Sequence, residues 1–363
     1  MMTYWVMIAL PFVGSLWPVN RSTLSRVFLW AGLTVFTLAI VGLRDKVGGD
    51  WVNYLEAYLR ISEEGLGPAL RNRSIGYGFI NWVSSVMGTG IYGVNVACAG
   101  LFLFGLLKFC LHQPLPCLAW LVATPYLIVV VAMGYTAQSV ALGFVMLTYV
   151  SFLDRRYWLA FLTFIIAVLF HKSAMFTVVF FVGAFAFGKD HISRIKSTLK
   201  RNTLQKNWAL LGGIIILILL GLQQGPGLYS TLGHYLFREQ WHSAGGTIRV
   251  LMNAVPAVLF LFAGRQIVSD DRDYQFWRMV CIVALACIPL LFFNSTLADR
   301  LSIFLVPIQL FVFSRLPLLF DDRVLRKGTV LSIGVGYGAV QWVWLTYANH
   351  AYEWIPYQNI LLR

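Results

Sequence analysis

The most reactive stretch is Gly42-Leu43-Arg44-Asp45-Lys46-Val47-Gly48-Gly49-Asp50, followed by Tyr54. A guanidinium binds anions, and a carboxylate serves as a general base or a hydroxyl ligand. Asp50 and Tyr54 are four apart, so they share a face if a helix follows. The competing reading is that Arg44 snorkels to a membrane interface and Asp50 only caps the helix. His171-Lys172-Ser173 is the whole turn between two greasy runs. An imidazole there could take a proton from a hydroxyl, and Lys172 could bind substrate or anchor at headgroups. Ser243 to Arg249 opens another apolar block with small residues and a cation in its first turn, a pattern that suits phosphate. A flexible turn with a snorkelling Arg249 is the plain alternative. Ala298-Asp299-Arg300 opens a further block. A cation at a helix start is unfavourable, so a ligand or Asp299 is expected to compensate Arg300. Gln138, in Tyr135-Thr136-Ala137-Gln138-Ser139, lines a cavity or a simple interfacial turn.

The elements that must hold these residues are membrane helices. Of 363 residues 59% are hydrophobic and 12% charged, with a mean hydropathy of +0.72. Soluble domains are roughly 45–50% apolar and about 25% charged. A soluble enzyme, a disordered chain and a disulfide-stapled module are excluded, the last because only five Cys are present. Apolar blocks run over 3–18, 27–43, 91–109, 116–133, 136–153, 157–170, 173–187, 208–222, 248–264, 277–293, 300–319 and 329–347. The expected fold is therefore all-α: one polytopic transmembrane domain over 1–363, with about 12 helices (10–13). Strand alternation is absent, which argues against a β-barrel. No basic segment precedes the first block, so it is expected to stay as a helix.

Basic residues orient the chain. The loop 188–207 carries Lys189, Arg194, Lys196, Lys200, Arg201 and Lys206, which places it in the cytoplasm. Alternation then puts 19–26, 108–115, 154–156, 265–278 and 315–328 inside, with 18 of the 28 Lys and Arg. Loops 44–90 and 223–247 and both termini lie outside. Residues 75–90 hold Asn81, Ser84, Ser85 and four Gly, and read as a surface-lying or re-entrant amphipathic helix on the outer face. This layout gathers Arg44, Asp45, Lys46, Asp50, Tyr54, Gln138, His171, Lys172, Arg238, Glu239, Arg249, Asp299 and Arg300 on the outer side. Outward cations oppose the positive-inside tendency, and an anionic ligand would account for them. The net charge of +13 therefore needs no nucleic acid. The cysteines read as small core hydrophobes. No metal spacing, carboxylate cluster or nucleotide-binding motif occurs, so no cofactor or metal is expected.

On these pieces the chain resembles the EpsG/Wzy-like family of bacterial polysaccharide polymerases. They are the Gly42–Asp50 stretch with Tyr54, Ile75-Gly76-Tyr77, the Gln138 helix, Phe170-His171-Lys172-Ser173-Ala174, Gly245-Gly246 with Arg249, and Asp299-Arg300-Leu301. They occur in order from about 42 to 302. One departure stands out: where the family often has Arg-Gln, this chain has Ala137-Gln138. If that Arg holds a phosphate or glycan group, Arg44, Arg249 or Arg300 must cover for it.

The resemblance implies a fold similar to C-type glycosyltransferases and a site facing the periplasm from a bacterial inner membrane. It implies transfer of a glycan from undecaprenyl pyrophosphate onto the terminal sugar of another lipid-linked repeat unit, as in exopolysaccharide or O-antigen synthesis. The expected catalytic residues are His171, Asp50, Arg249 and Arg300. The expected substrate-binding residues are Arg44, Tyr54, Gln138, Lys172 and Asp299. Partners would be undecaprenyl-pyrophosphate-linked oligosaccharides and membrane lipids, with a chain-length regulator or flippase as a candidate. The alternatives are a ligase that moves finished glycan to another acceptor, and a lipid-linked sugar transporter or flippase. An acyltransferase finds no partner motif.

Overall fold

The computed structural model describes residues 1–16, 23–71, 74–187 and 245–362. Among these every regular element is helical, and the only β pairing is an isolated bridge between Arg44 and Asn359. The described chain divides into two compact units. Unit 1 holds Met1–Thr177 and Val306–Arg363, and unit 2 holds Val178–Leu305.

Among the described residues five helices are long and apolar enough to cross a membrane: Leu24–Gly42, Gly90–Leu111, Thr136–Leu153, Gly246–Ile267 and Asp271–Phe293. Ser295–Leu305 with Pro307–Leu319 makes a sixth if the pair is one broken span. Several such helices mark a membrane protein, and among the described residues they number five or six against the twelve expected for the whole chain. Met2–Leu16, Pro116–Ala132, Tyr157–Phe170 and Lys172–Ala184 are apolar but short. The block expected at 329–347 lies inside a helix, Arg323–Tyr347, that is not among the qualifying spans. The block at 208–222, the basic loop 188–207, Arg238, Glu239 and most of the loop 223–247 fall outside the described residues.

Unit 1 contains α1 (Met2–Leu16), α2 (Thr23–Gly42), α3 (Trp51–Glu64), α4 (Leu66–Arg71), α5 (Ile75–Val86) and α6 (Gly90–Leu111). Then come α7 (Pro116–Ala123), α8 (Thr136–Leu153) and α9 (Tyr157–Phe170). The helix α7 runs on as a π-helical segment, Thr124–Ala132, and Cys117 through Ala132 are all buried. Pro125 offers no N–H at the start of that widened turn. This segment is the middle of the unit's core. The α6 and α8 helices lie so close that a Cβ on Gly105 would stand 2.1 Å from the Gly143 carbonyl oxygen. Small residues allow such approach where lipid gives helices no hydrophobic push together.

The helix α5 has 12 residues, about 18 Å at the usual rise, too short for a hydrocarbon core of roughly 30 Å. Tyr77, Gly78, Asn81 and Ser84 face inward, while Phe79, Val86 and Met87 are exposed. It is amphipathic, as expected, and ends four residues before position 90.

The two ends of α6 and α8 meet different partners. The starts of α6 and α8 meet the chain that follows α2, through Asn95 and Thr136. At the far ends of α6 and α8, His112 stands 3.8 Å from Asp154, and Arg315 donates to Gln113. These residues belong to the loops 108–115, 154–156 and 315–328 assigned to one side.

Unit 2 contains α10 (Val178–Phe187), α11 (Gly246–Ile267), α12 (Asp271–Phe293) and α13 (Ser295–Ser302). Asp270 caps α12 by accepting from the Asp273 N–H at 3.0 Å. Asn294 ends α12 and caps α13 through the Leu297 N–H.

Candidate active site

Arg44 follows α2 directly and is buried, with only 1% of its surface exposed. Its Nε donates to the Val47 carbonyl at 3.1 Å and Nη1 to the Val41 carbonyl at 2.5 Å. Nη2 donates to Thr136 Oγ1 at 2.8 Å and Asn95 Oδ1 at 3.4 Å. Burial lowers its pKa to about 10, so it stays charged at neutral pH. The snorkelling reading of this residue needs correction. Arg44 does not snorkel; its guanidinium is buried, and four hydrogen bonds hold the turn onto the starts of α6 and α8.

The turn itself is tightly constrained. Lys46 takes a positive φ of 54° and Gly48 one of 108°. A Cβ on Gly48 would sit 2.2 Å from the Met133 carbonyl oxygen, so only glycine fits. Asp45 is buried and accepts from the Tyr92 hydroxyl at 2.7 Å.

Asp50 emerges half-buried at the N-cap of α3, yet its side chain makes no capping hydrogen bond. It accepts instead from Asn53 Nδ2 at 3.2 Å. Partial burial pushes its carboxyl above the usual range, and the Asn53 bond opposes this. A carboxylate of raised pKa with an unused capping position is suited to base chemistry.

One turn on, the Tyr54 hydroxyl accepts the Ala137 N–H at 3.3 Å. That bond uses an orphan amide of the α8 N-terminus and leaves the phenol proton to donate elsewhere. Burial pushes the phenol upward, so it stays protonated. The Tyr54 and Tyr77 rings lie 5.1 Å apart. Gln138, with 9% exposure, has an Nε2 that meets no acceptor among the described residues. Where Ala137 replaces the family's Arg, the nearby cation is Arg44, on the preceding Thr136.

His171 ends α9 in an extended conformation and is half-buried, with Lys172 exposed beside it. The preceding Phe170 ring packs on Gly76, where a Cβ would meet it at 2.8 Å. The Gly76-Tyr77 and Phe170-His171 motifs, 94 positions apart, therefore touch through this contact. Unit 1 thus joins the Arg44 turn, Tyr54, Tyr77, the start of α8 and the end of α9.

The sequence reading missed the C-terminal segment altogether. The Gly48 N–H donates to Glu353, Asp45 N–H to Gln358, and Ile360 N–H to Leu43. Trp354, 2% exposed, donates from Nε1 to the Val129 carbonyl at 2.8 Å, and the Tyr4 hydroxyl donates to the Trp354 carbonyl at 2.7 Å. Tyr357 donates to the Ile40 carbonyl. This strap fixes the turn through its backbone and forms the bridge of Asn359 with Arg44. Its only sequence signal was an aromatic set, Tyr352, Trp354 and Tyr357, which an interfacial belt explains equally well. Trp354→Ala is expected to cost about 3–5 kcal/mol and to free the turn. Thermal unfolding of the detergent-purified protein reads the first effect, and protease sensitivity near Lys46 the second.

In unit 2, Arg249 and Asp299 form a two-point pair, Nε to Oδ1 and Nη2 to Oδ2. Both side chains are mostly buried, at 17% and 14% exposure. Asn253 Nδ2 donates to the Ser302 carbonyl at 2.7 Å and strengthens the same junction of α11 and α13. Asp299 thus pairs with Arg249, where the sequence pattern led to the expectation that a ligand or Asp299 would compensate Arg300. Arg300 also sits elsewhere in its helix than expected. The α13 helix starts at Ser295, so Arg300 lies in its last turn, where a cation is favourable. Arg300 is exposed. Among the described residues no three His, Cys, Asp or Glu side chains form a set that could hold a metal.

The EpsG family model matches residues 27–359. The chain belongs to the EpsG family. The match spans the unit 1 motifs, the unit 2 pair and the strap up to Asn359. Membership in the EpsG family suggests, in general terms, a glycosyltransferase-like membrane polysaccharide polymerase. No curated protein and no solved structure matches the chain.

Proposed function

We propose that the protein is a polysaccharide polymerase of the bacterial inner membrane. It would move a glycan from undecaprenyl pyrophosphate onto the terminal sugar of another lipid-linked repeat unit. The observation that carries this reading is the convergence in unit 1. A constrained turn, held by Arg44 and by the strap, leads to Asp50 and to Tyr54, whose hydroxyl meets the start of α8. This is a preorganised site, with the base fixed by its surroundings. The site end of unit 1 also holds both termini, as an outward-facing site with both termini outside requires. A fold like the C-type glycosyltransferases belongs to the same proposal.

In this reading Asp50 takes the proton from the acceptor hydroxyl as that oxygen attacks the anomeric carbon. The bond to pyrophosphate breaks, and its negative charge needs cations. In unit 2, Arg300 and the Arg249 held by Asp299 are the cations that the sequence pattern offers for an anionic group. Tyr54 and Gln138 donate to the sugar or phosphate oxygens. His171 and Lys172 position the substrate at the mouth. The strap and Arg44 hold the turn and touch no substrate.

Arg300→Ala is expected to abolish polymer, to leave single repeat units on the lipid, and to spare folding. Arg249→Ala and Asp299→Ala should each lower thermal stability as well, and the double variant should cost less than their sum. Glycan gels with lipid extracts, and unfolding midpoints, check this; normal chain length in Arg300→Ala removes it from the site. The central experiment is deletion. Cells lacking the protein should accumulate lipid-linked single repeats. Lipid-linked polymer would indicate ligation to another acceptor. Polymerisation of lipid-linked repeats by the purified protein would exclude a transporter.

A further inference from the structure

We propose that the outward polar face of α3 is a subsite for the sugar chain next to the reacting unit; this rests on the polymerase reading. Tyr54, Tyr58 and Ile61 lie on the packed side of α3, at helical spacing. Asn53, Glu56, Ala57 and Arg60 lie on another face and form the described lining of a hollow of about 420 Å³. Asn53 links this lining to the base, because its Nδ2 bonds Asp50 Oδ1. From Asp50 to Arg60 the helix rises about 15 Å, enough for a short run of sugar rings.

The chemistry of the lining selects the ligand. Glu56 and Arg60 are four apart and carry opposite charges, so among the described residues the lining has little net charge. It would not favour a phosphate or an anionic headgroup. It offers an amide, a carboxylate and a guanidinium side by side, both acceptors and donors. Sugar hydroxyls both donate and accept, and a vicinal pair can engage such groups together. Ala57 supplies a small floor on which a ring can rest. A chain held there would keep its terminal sugar beside Asp50 between additions.

The test uses the full-length purified protein. The probe is the water-soluble oligosaccharide released by mild acid from the lipid carrier of cells lacking the protein. Binding is read by titration calorimetry. Arg60→Ala removes a charged donor, and Ala57→Phe fills the floor without removing any polar group. Each is expected to bind about tenfold more weakly, and each should shorten the polymer in cells. Glu64→Gln, exposed at the end of α3, should bind as the parent does. Parent-like binding by both Arg60→Ala and Ala57→Phe overturns the subsite, as does a parent protein that does not bind the oligosaccharide. Persistence of polymer in the deletion strain would instead overturn the polymerase reading, and the calorimetric arms would still report on the face.

Discussion

Asp50→Asn is expected to leave a folded protein in the membrane that makes no polymer, with single repeats accumulating on the lipid. The substitution keeps the shape and the Asn53 contact but removes the basic oxygen. General base catalysis contributes roughly 10²–10⁴-fold, so polymer should fall below detection rather than shorten. The parent should show a matching pH dependence. Only the carboxylate form accepts a proton, so activity is lost as pH falls through the Asp50 pKa. Burial raises that pKa, so the acid limb should lie above the ordinary carboxylate value of about 4. In vitro elongation of lipid-linked repeats across pH measures the limb. Full elongation by Asp50→Asn would remove Asp50 as the base and leave His171 as the candidate.

The second large effect is structural. Arg44→Ala should fail to yield a stable protein, and Arg44→Lys should not restore it. The substitution strips donors from the Val41 and Val47 carbonyls and from Thr136 and Asn95, all at a site closed to water. Each buried acceptor left without a donor costs about 1–3 kcal/mol. Lysine has a single point of charge and cannot reach four acceptors in a fork geometry. The measurement is the amount of monodisperse protein after detergent extraction, with thermal unfolding where enough survives. An Arg44→Ala protein of normal stability that makes no polymer would return Arg44 to the substrate.

The two arginine substitutions separate what looked alike in the sequence. Arg44, Arg249 and Arg300 each stood at the edge of an apolar block, and each read as a cation for an anionic substrate. Position along the chain gives the depth of a residue in a membrane but not its partner. Asn95 and Thr136 lie 51 and 92 residues from Arg44. Asp299 lies 50 residues from Arg249. No local pattern announces such pairs. Arg300 was also placed at a helix start because the apolar block begins there, whereas the helix itself begins at Ser295. Asn294 sets that start as a cap, a signal present in the sequence but read as loop.

Composition and hydropathy by themselves determined that this is an all-α membrane protein, because apolar runs of this length have no other stable form. The ordered motifs determined the family. They also picked out Asp50, Tyr54, Gln138 and His171, since polar groups at membrane helix ends are costly and seldom idle. Only the tertiary structure decided which charges are already spent. It closed Arg44 into the protein, paired Arg249 with Asp299, and left Asp50 without a capping role. It also brought the Trp354 strap onto a turn more than 300 residues away. Those outcomes depend on which helix ends meet, and a linear pattern does not encode that proximity.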